Sequence, residues 1–369
     1  MTIGVHGYSK SVNGVSTRYP FFSIERDYMK RIVVTGGSGF IGSNLIKKML
    51  TDPKEEWSVL NIDKLTYAGN LKNNQDFEFN PRYFFLKSDI NDMEKVLNGF
   101  NDFKPDAVMH LAAESHVDKS IESGADFIHT NINGTYHLLE VVREYVTLNQ
   151  LQNKFKFLHV GTDEVYGSLG FEDEPFTEKS QYQPNSPYSA SKAASDHLVR
   201  AAFKTYNIKT VTTHCSNNYG PQQLPEKLIP NTINKAFERR KIPVYGKGDN
   251  IRDWVHVDDH CDALLTVLKK GVPGESYCIG SDNEWDNLSL VRKICDLIDS
   301  ILVGKEKKND LARKNLIEFV TDRKGHDVRY AIDSSKIQNE LGWKPKVDFE
   351  EGLKDTILWY LNHQDWWTY

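Results

Sequence analysis

From Met29 onward, short apolar runs alternate with longer stretches of helical periodicity, and this alternation constrains the fold more than any other feature. The runs are rich in β-branched and aromatic residues, which predicts strands at Arg31–Thr35, Ser58–Ile62, Tyr83–Leu86, Ala107–Leu111 and Phe157–Val160. Helical spacing predicts helices at Gly39–Leu50, Asp92–Phe100, Ala125–Val146 and Pro187–Tyr206, and a further strand follows at Thr210–Cys215. This rhythm specifies an α/β fold with a doubly wound, parallel sheet of the Rossmann type.

The pattern changes after Asn217, where prolines interrupt the rhythm. Helical patterns there cover Leu228–Arg239, Val257–Lys269, Leu288–Ile301 and Glu350–Leu361. Short isolated strands are predicted at Pro243–Tyr245, Ser276–Ile279 and Glu318–Val320, with an exposed charged turn at Gly304–Lys308. We therefore divide the chain into a loosely ordered N-terminal extension (1–28), a Rossmann domain with the catalytic residues (29–216), and a smaller mixed α/β domain (217–369). The last is expected to bind substrate and to return some segments to the sheet.

Composition excludes several classes of protein. The 369 residues carry a net charge of −5, whereas a general nucleic-acid binder would be basic. Apolar runs fall short of the roughly 18–20 residues that cross a bilayer, and the first residues do not resemble a secretory signal. Neither a disulfide framework nor a thiolate zinc site fits the spacing of the four cysteines, Cys215, Cys261, Cys278 and Cys295. We expect a cytoplasmic protein that binds no metal, membrane or nucleic acid.

A glycine-rich turn follows the first strand and opens the first helix, with the sequence Gly37-Ser38-Gly39-Phe40-Ile41-Gly42. Such glycines permit a tight turn and let the backbone approach a pyrophosphate at the helix N-terminus. Asp63 follows 21 residues after Gly42, at the end of the second strand, where an acidic side chain accepts from a ribose 2′-hydroxyl and repels a 2′-phosphate. The motif predicts NAD rather than NADP, although the adjacent Lys64 weakens that preference; a purely structural glycine turn is the alternative.

A second motif, Tyr188-Ser189-Ala190-Ser191-Lys192, lies at the start of the helix that follows the candidate nucleotide-binding sheet. One helical turn separates Tyr188 from Lys192, so the phenol and the ammonium share one face. A nearby cation lowers the pKa of a phenol from about 10 and makes it a usable base. The same spacing at Tyr83 and Lys87 lies on a predicted strand, where the two side chains do not form a helical turn.

A third motif, Thr162-Asp163-Glu164, stands at the carboxyl end of the fifth strand, where open α/β sheets bind their ligands. Two adjacent carboxyl groups in different environments can divide into an acid and a base. Both can serve one substrate only if the strand has already ended, because neighbouring strand residues point to opposite faces. A helix cap or a loop carboxylate is the structural alternative.

With these motifs in place, the chain resembles the dTDP-glucose 4,6-dehydratases, a family of extended short-chain dehydrogenase/reductases. The similarity runs from about Met29 to Trp359 and rests on the strings Thr35–Ser43, Asp63–Asn70, Leu111–Asp118, Thr162–Gly167, Ser216–Pro221 and Gly325–Asp333. The glycine turn and Tyr-x-x-x-Lys identify only the superfamily. The pair Asp163-Glu164 and the string Leu65–Asn70 are more specific, because related 4-epimerases lack the carboxyl pair.

The resemblance implies a reaction and a role for each candidate catalytic residue. Tyr188 would take the C4-hydroxyl proton while the C4 hydride passes to NAD, with Lys192 beside it and Thr162 bonded to the C4 oxygen. Glu164 would then remove the C5 proton, and a protonated Asp163 would protonate the departing C6 hydroxyl. Return of the hydride to C6 gives a 4-keto-6-deoxy sugar nucleotide, as in deoxysugar biosynthesis.

The remaining site residues are also implied by the resemblance. The NAD site would comprise Gly36, Gly39, Phe40, Ile41, Gly42, Asp63, Lys64, Leu65, Thr66, Asp89, Ile90, Leu111, Ala112, Ala113, Thr130, Tyr188, Lys192 and Asn218. The sugar-nucleotide site would comprise Ser115, Thr162, Asn217, Lys227, Leu228, Pro243, Tyr245, Arg252, Asn287, Arg323 and His326. Cations and amide donors among the latter suit a diphosphate, although a surface ion pair is the alternative for any single arginine.

Several alternatives remain at this stage. A UDP-glucose 4,6-dehydratase or a 4-epimerase would use the same scaffold, and a non-catalytic NAD-binding interaction protein belongs to another class. The chain reads Asp258-Asp259-His260-Cys261-Asp262 where the family has Glu-Asp-His-Ala-Arg, a change expected on an outer helix face without loss of activity. His256 and His260 are spaced like a metal pair, but structural histidines are favoured. A homodimer through Ala125–Val146 and Pro187–Tyr206 is expected.

Overall fold

The computed structural model describes residues 9–12, 15–18, 29–303 and 312–367. The strands of these residues are β1 (Ser9–Val12), β2 (Val15–Arg18), β3 (Met29–Thr35), β4 (Glu56–Asp63), β5 (Tyr83–Lys87), β6 (Ala107–His110), β7 (Lys156–Thr162), β8 (Lys209–Cys215), β9 (Asn217–Tyr219), β10 (Ile242–Tyr245), β11 (Ile251–His256), β12 (Ser276–Ile279), β13 (Glu284–Asp286), β14 (Ile317–Val320) and β15 (Arg329–Tyr330).

The α-helices of the same residues are α1 (Phe40–Thr51), α2 (Met93–Phe103), α3 (Val117–Glu122), α4 (Ala125–Phe127), α5 (Thr135–Leu148), α6 (Pro187–Tyr206), α7 (Leu228–Phe237), α8 (Val257–Lys270), α9 (Asn287–Ile301), α10 (Ser335–Leu341), α11 (Phe349–Asn362) and α12 (Gln364–Trp367). Short 3₁₀ turns occupy Leu71–Phe77, Asp163–Tyr166 and Arg313–Leu316. None of the described helices has the length and apolar character needed to span a membrane.

Seven parallel strands form the central sheet, in the order β12-β8-β7-β6-β3-β4-β5. The predicted doubly wound Rossmann sheet is therefore confirmed. The register pairs Thr35 with Ile62 on one side and with His110 on the other, and it pairs Thr162 with Cys215. The carboxyl ends of five neighbouring strands thus reach one edge of the sheet, where a cleft can form.

Apolar side chains on alternate residues of each strand build a core on both faces of the sheet. In β3, Ile32 and Val34 pack with residues of α1 and α8 on one face. Val33 points the other way and packs with residues of α2, α5 and α6. Because helices cover both faces, strands such as β3 and β6 are buried along nearly their whole length, which explains the continuous apolar runs in the sequence.

Beyond the central sheet, β11 pairs antiparallel with β13 and parallel with β9 and β15, and β10 pairs parallel with β14. Helices α7, α9 and α11 supply most of the apolar core beside these strands. Three segments of the region after residue 216 lie with the central sheet: β12 forms its edge strand, α8 packs against α1, and α10 packs beside β12. The division of the chain into domains remains a prediction.

The predicted continuous helix Ala125–Val146 is wrong. The structure interrupts it after α4 with a π-helical segment, Ile128–Gly134, before α5 begins. Gly134 lies so close to Ile90 that an added Cβ would stand 2.6 Å from its Cδ1 atom. The Asn131 amide leaves the helix surface to bond the backbone of Glu114 and the hydroxyl of Ser191. These inward contacts account for the widened turn, a feature that often occurs at functional sites.

The N-terminal segment and the charged turn are only partly described. Within residues 1–28, β1 and β2 pair antiparallel, which the sequence analysis did not predict. The rest of the predicted loosely ordered extension and the predicted turn at Gly304–Lys308 lie outside the described residues.

Candidate active site

One cleft opens at the carboxyl ends of β3, β4, β6, β7 and β8. Residues from the end of each strand line it, together with the start of α1 and the segment after β9. Sixteen of the predicted NAD-site residues lie in the lining: Gly36, Gly39, Phe40, Ile41, Gly42, Asp63, Lys64, Thr66, Asp89, Ile90, Leu111, Ala112, Ala113, Thr130, Lys192 and Asn218. Leu65 and Tyr188 lie outside it. Thr162, Asp163 and Glu164 line the same cleft, so the predicted nucleotide site and the predicted acid pair adjoin each other.

The glycine turn is tight because the backbone passes close to neighbouring segments. Gly36 has φ +70°, and an added Cβ there would stand 2.8 Å from the Cα of Ala112. A Cβ on Gly42 would stand 2.3 Å from the carbonyl oxygen of Gly36. No side chain caps α1 at Gly39, so the first amides of this helix face the cleft without an intramolecular cap. Side chains at these glycines would close the cradle.

Asp63 ends β4 at the wall of the cleft. Its Oδ2 accepts from the Ser38 amide at 3.0 Å and its Oδ1 from the Leu65 amide at 2.8 Å. Burial raises the pKa of this carboxyl group, and the two amide bonds oppose the rise. Lys64, which weakened the preference for NAD, lies 3.3 Å from the carboxylate of Asp89. Its charge is therefore paired within the protein.

The acid pair begins where β7 ends. Strand β7 stops at Thr162, and Asp163 and Glu164 start the 3₁₀ turn, so the condition for both carboxyl groups to reach one cleft is met. The Thr162 hydroxyl accepts from the Glu164 amide at 3.3 Å and caps this turn. The same hydroxyl lies 3.4 Å from Asp163 Oδ1, and Ser189 Oγ donates to Glu164 Oε2 at 3.3 Å.

The two carboxyl groups experience different surroundings. Burial, with the nearby charges of Glu164 and Asp253, raises the pKa of Asp163 well above its usual range. Burial also raises the pKa of Glu164, but the cations Lys227 and Arg252 oppose the rise. Asp163 Oδ2 is buried without a hydrogen-bond partner among the described residues. The arrangement favours a protonated Asp163 beside a more readily ionised Glu164, which is the division of roles expected of an acid and a base.

Tyr188 and Lys192 lie on the first turns of α6, which begins at Pro187 with a side-chain cap from Ser186. The Tyr188 hydroxyl bonds the side chain of Thr162, and Lys192 Nζ donates to the Val160 carbonyl at 2.8 Å. The expectation that the pKa of this phenol falls below its usual value is wrong for this structure. Burial and the charge of Glu164 instead raise the pKa of Tyr188 well above its usual value. Burial also lowers the pKa of Lys192.

The predicted sugar-nucleotide residues fall into two groups. Ser115, Asn217 and Lys227 line the cleft with Thr162, and Lys227 Nζ donates to the Ser115 carbonyl at 2.8 Å. The lining does not include the second group, Leu228, Pro243, Tyr245, Arg252, Asn287, Arg323 and His326.

Members of the second group contact one another or neighbouring carboxylates and carbonyls. The Arg323 guanidinium stacks 4.7 Å from the Tyr245 ring centroid and pairs with Asp118 at 2.8 Å. Arg252 donates to the carbonyl of Asp327 at 2.9 Å. Both arginines are thus bonded within the protein. The diphosphate role predicted for them stays a prediction.

Several lining residues were not predicted as site residues: Ile62, Ala68, Gly69, Ser88, Glu114, Val160, Gly161, Cys215, Ser216, Gln223 and Leu224. Most of them adjoin predicted positions, so extending the prediction to every residue at the end of each strand would have identified them.

The two histidines spaced like a metal pair serve structural contacts. His256 Nδ1 accepts from the Asp258 amide, and His260 Nδ1 bonds Asn218 Oδ1 at 2.8 Å. Asp262 pairs with Lys48 at 2.8 Å.

The raised pKa of Asp163 predicts an unusual effect on stability. As pH rises through the ordinary carboxyl pKa near 4, the unfolded chain ionises this group while the folded protein does not, so folding loses stability with rising pH. We expect Asp163→Asn to raise the unfolding temperature at pH 7, and we expect the gain to shrink below pH 4. Thermal unfolding across pH 3–8 measures this, with exposed Asp249→Asn as the control. A variant less stable than the wild type at pH 7 would contradict the prediction.

Comparison with known proteins places this site in a family. The family described as GDP-mannose 4,6 dehydratase matches residues 33–356. The dTDP-glucose 4,6-dehydratases of Neisseria meningitidis serogroup B and Escherichia coli are each 51% identical, over 342 and 347 residues. These alignments cover 92% and 91% of this chain and 95% of each relative.

Solved structures agree with these relatives. The dTDP-glucose 4,6-dehydratase of Bacillus anthracis in complex with NAD is 43% identical, with a TM-score of 0.80 over 92% of this chain and 98% of that one. The Streptomyces venezuelae enzyme, determined with NAD and a further ligand, is 40% identical, with a TM-score of 0.83 over 91% and 98%. A UDP-glucose 4-epimerase of Thermotoga maritima is 28% identical, with a TM-score of 0.78 over 90% and 99%.

The fold and the cleft together define an extended short-chain dehydrogenase/reductase. Within that class, the identity to the curated relatives over nearly the whole chain decides between the dehydratases and the epimerases. The chain belongs to the dTDP-glucose 4,6-dehydratase family.

Proposed function

We propose that this protein is an NAD-dependent hydro-lyase that converts dTDP-glucose into dTDP-4-keto-6-deoxyglucose and water. The observation that carries the proposal is the convergence of the pair Asp163-Glu164 with Thr162 and Lys192 in one cleft, with Tyr188 next to Thr162. An enzyme that only oxidises the sugar does not need the two carboxyl groups in addition to Tyr188 and Lys192, whereas elimination of water needs both an acid and a base. The curated relatives and the NAD-bound structures support the same activity.

The residues present fit NAD. Gly36 and Gly42 leave a cradle that a Cβ would fill, and the Asp63 carboxylate at the end of β4 suits a ribose 2′-hydroxyl. Bound there, NAD would supply the hydride acceptor for C4 of the hexose and the hydride donor for C6. Since the cofactor ends each cycle in its starting form, the cleft must hold it through both transfers.

Oxidation at C4 requires removal of the hydroxyl proton. Tyr188 is the base in this proposal, and its contact with Thr162 places phenol and hydroxyl beside each other, so that both can bond one sugar oxygen. The ammonium group of Lys192 stabilises the phenolate electrostatically, which burial otherwise disfavours. Because burial raises the phenol pKa, this role depends on positive charge in the loaded cleft.

Elimination of water follows once C4 is a ketone, because the carbonyl group acidifies the C5 hydrogen. Glu164 removes that proton, and Asp163 donates its own to the C6 oxygen as water leaves. The raised pKa of Asp163 keeps the proton available at neutral pH. The cations near Glu164, Lys227 and Arg252, favour its charged form.

We also propose the finer assignments. Ser115, Asn217 and Lys227 in the cleft and the residues of the second group together hold the sugar nucleotide, with Arg252, Arg323 and Asn217 at its diphosphate. Residues 29–216 and 217–369 act as a cofactor domain and mainly a substrate domain. A cytoplasmic homodimer is expected, and Ile128 and Tyr136, which are about half exposed beside α4 and on α5, supply apolar surface for it.

The deciding experiment is incubation of the purified protein and NAD with dTDP-glucose in deuterated water. We expect a product that has lost water and carries deuterium at C5, because Glu164 exchanges its proton with solvent before C5 is reprotonated. UDP-glucose, run in parallel, separates the two nucleotides. An epimerised sugar without loss of water, or no reaction with either substrate, would overturn the proposal.

A further inference from the structure

A buried polar cluster lies next to the proposed catalytic residues, on the same helix and strands. We call it the Asp196 cluster; it consists of Asp196, His159, His214, Tyr182 and Tyr166. Asp196 Oδ1 lies 3.1 Å from His159 Nε2, and Asp196 Oδ2 lies 3.1 Å from His214 Nε2. The Tyr182 hydroxyl contacts both Asp196 Oδ2, at 3.1 Å, and His214 Nε2, at 2.9 Å. The Tyr166 hydroxyl lies 3.0 Å from His214 Nδ1.

The members of the cluster come from the elements that carry the proposed catalysis. Asp196 follows Lys192 by one turn of α6, and the side chains of both are buried. His159 precedes Thr162 by three residues on β7, and its neighbour Val160 accepts the bond from Lys192. Tyr166 ends the 3₁₀ turn that Asp163 starts. The cluster therefore joins the helix of the proposed base to the turn of the acid pair.

Gly161 shows how closely these elements approach one another. An added Cβ there would stand 3.3 Å from Asp196 Oδ1, 3.1 Å from the His214 ring and 2.7 Å from the Thr213 carbonyl oxygen. Only a residue without a side chain leaves this space between β7, β8 and α6. Gly161 lies directly before Thr162. Because it has no side chain, the side chains of Asp196 and His214 can pack against the backbone next to the catalytic turn.

The charges of the cluster suit a counter-ion. Burial lowers the pKa of Lys192, and the charge of Asp196 opposes that fall. His159, at a pKa of about 4, is neutral at physiological pH because burial disfavours its charge, and burial lowers the pKa of His110 well below its usual range. The pKa of Asp196 is lowered despite its burial, chiefly by the charge of His214 and further by its close approach to His159 and its bond with His214, so Asp196 keeps its charge.

Other titratable groups face the cluster from the packed elements. His110 on β6 stacks 5.3 Å from the His159 ring. Cys278 on β12 lies 3.9 Å from the Tyr166 hydroxyl, and the His197 ring lies 5.1 Å from the Tyr182 ring. Burial raises the pKa of the thiols Cys215 and Cys278, so both are neutral. Asp196 thus supplies the negative charge of the cluster.

We propose that Asp196 is a positioning residue: its buried carboxylate, one helical turn from Lys192, is the counter-ion of that ammonium group, and its contacts through His214 and Tyr166 hold the turn of the acid pair against α6. This inference rests on the proposed function, because it concerns the charge that Lys192 places beside Tyr188. In this proposal the residues of the Asp196 cluster act through Lys192 and the turn of the acid pair, and none of them touches the substrate.

Asp196→Asn tests the counter-ion. Without the carboxylate, Lys192 loses its proton at lower pH and the phenol of Tyr188 ionises at higher pH. We expect the pH profile of C4 oxidation, followed in single turnovers by nicotinamide absorbance, to narrow on both sides by roughly one pH unit each. A uniform fall in rate with both limbs of the profile unmoved would show a merely structural role and overturn the proposal.

Tyr166→Phe tests the tie to the acid pair and removes only a hydroxyl group. We expect C4 oxidation to keep its pH limbs while water elimination slows by roughly ten-fold, because the turn of Asp163 is less well held. Tyr145→Phe is the matched control: its buried hydroxyl bonds the Pro105 carbonyl, away from the cluster, and both steps should be unchanged. Equal slowing of both steps in Tyr166→Phe would contradict the tie.

Unfolding provides a readout that does not depend on turnover. The folded pKa of Asp196 is lowered, so its contribution to stability is present above the unfolded pKa near 4 and is lost as pH falls through the folded value. The wild type should exceed Asp196→Asn in unfolding temperature most at pH 6–8 and least at the acid end. An equal difference at every pH would contradict a charged Asp196. If the wild type forms no dehydrated product, the proposed function is wrong. The comparison of unfolding temperatures does not depend on turnover, so it still shows whether Asp196 is charged in the folded protein.

Discussion

Asp163→Asn combined with Glu164→Gln is expected to stop water elimination while oxidation at C4 continues. The two substitutions keep the shape of each side chain and remove the proton that Asp163 donates and the basic oxygen that Glu164 provides. General acid–base catalysis contributes roughly 10²–10⁴-fold for each group. We therefore expect formation of the 4-keto-6-deoxy product to fall by at least about 10³-fold, with oxidation within about ten-fold of the wild type.

Two measurements separate these steps. Mass spectrometry follows loss of water from dTDP-glucose, and single-turnover absorbance follows oxidation. The control is Asp249→Asn with Glu56→Gln, which makes the same chemical change at two exposed carboxyl groups and should leave both steps intact. If the double variant dehydrates dTDP-glucose at the wild-type rate, the pair Asp163-Glu164 takes no part in the mechanism. If the double variant also loses oxidation at C4, the pair acts before the elimination step.

Tyr188→Phe is expected to abolish the reaction at its first step. Loss of the phenol removes the proposed base for the C4 hydroxyl, so oxidation and product formation should fall together by about 10²–10⁴-fold. The aromatic ring remains, and its edge-on contact with Phe127 at 6.3 Å should preserve the local packing. KM should change little, because one hydroxyl contributes a small share of the binding surface.

Stopped-flow absorbance and steady-state product analysis check this expectation, with unfolding temperature as a test of intact structure. Tyr145→Phe again removes a buried phenol hydroxyl elsewhere and should be fully active. Oxidation within ten-fold of the wild type in Tyr188→Phe would assign the proton transfer to another group. Thr162 would then be the first candidate, because its hydroxyl contacts the phenol.

Local signals in the sequence predicted the elements that build the cleft. Pro187 after a capping serine marks the start of α6, and the structure begins the helix at that residue. Asp63 and Thr162 stand where apolar runs end, and both strands end there. These features depend on a few adjacent residues and on the apolar pattern, which is why they could be predicted.

Other elements depend on contacts that are distant in sequence. Strand β11 contains Arg252, Asp253 and His256 and does not resemble a buried strand, yet these side chains are buried. The Asp253 carboxylate accepts from the Ser281 and Asn283 amides, partners some thirty residues away. The π-helical turn after α4 likewise depends on the remote backbone of Glu114. The raised pKa of Tyr188 reflects burial in the folded state, which a spacing rule cannot include.

The edge strand β12 belongs to the region after residue 216 but completes the central sheet, so the order of synthesis affects when that sheet can form. It pairs with β8, although α7, β11 and α8 intervene between them in sequence. A nascent chain released only as far as residue 216 would leave the outer edge of β8 unpaired, and such edges recruit other chains. The seven-stranded sheet is therefore complete only once residue 279 has been synthesised.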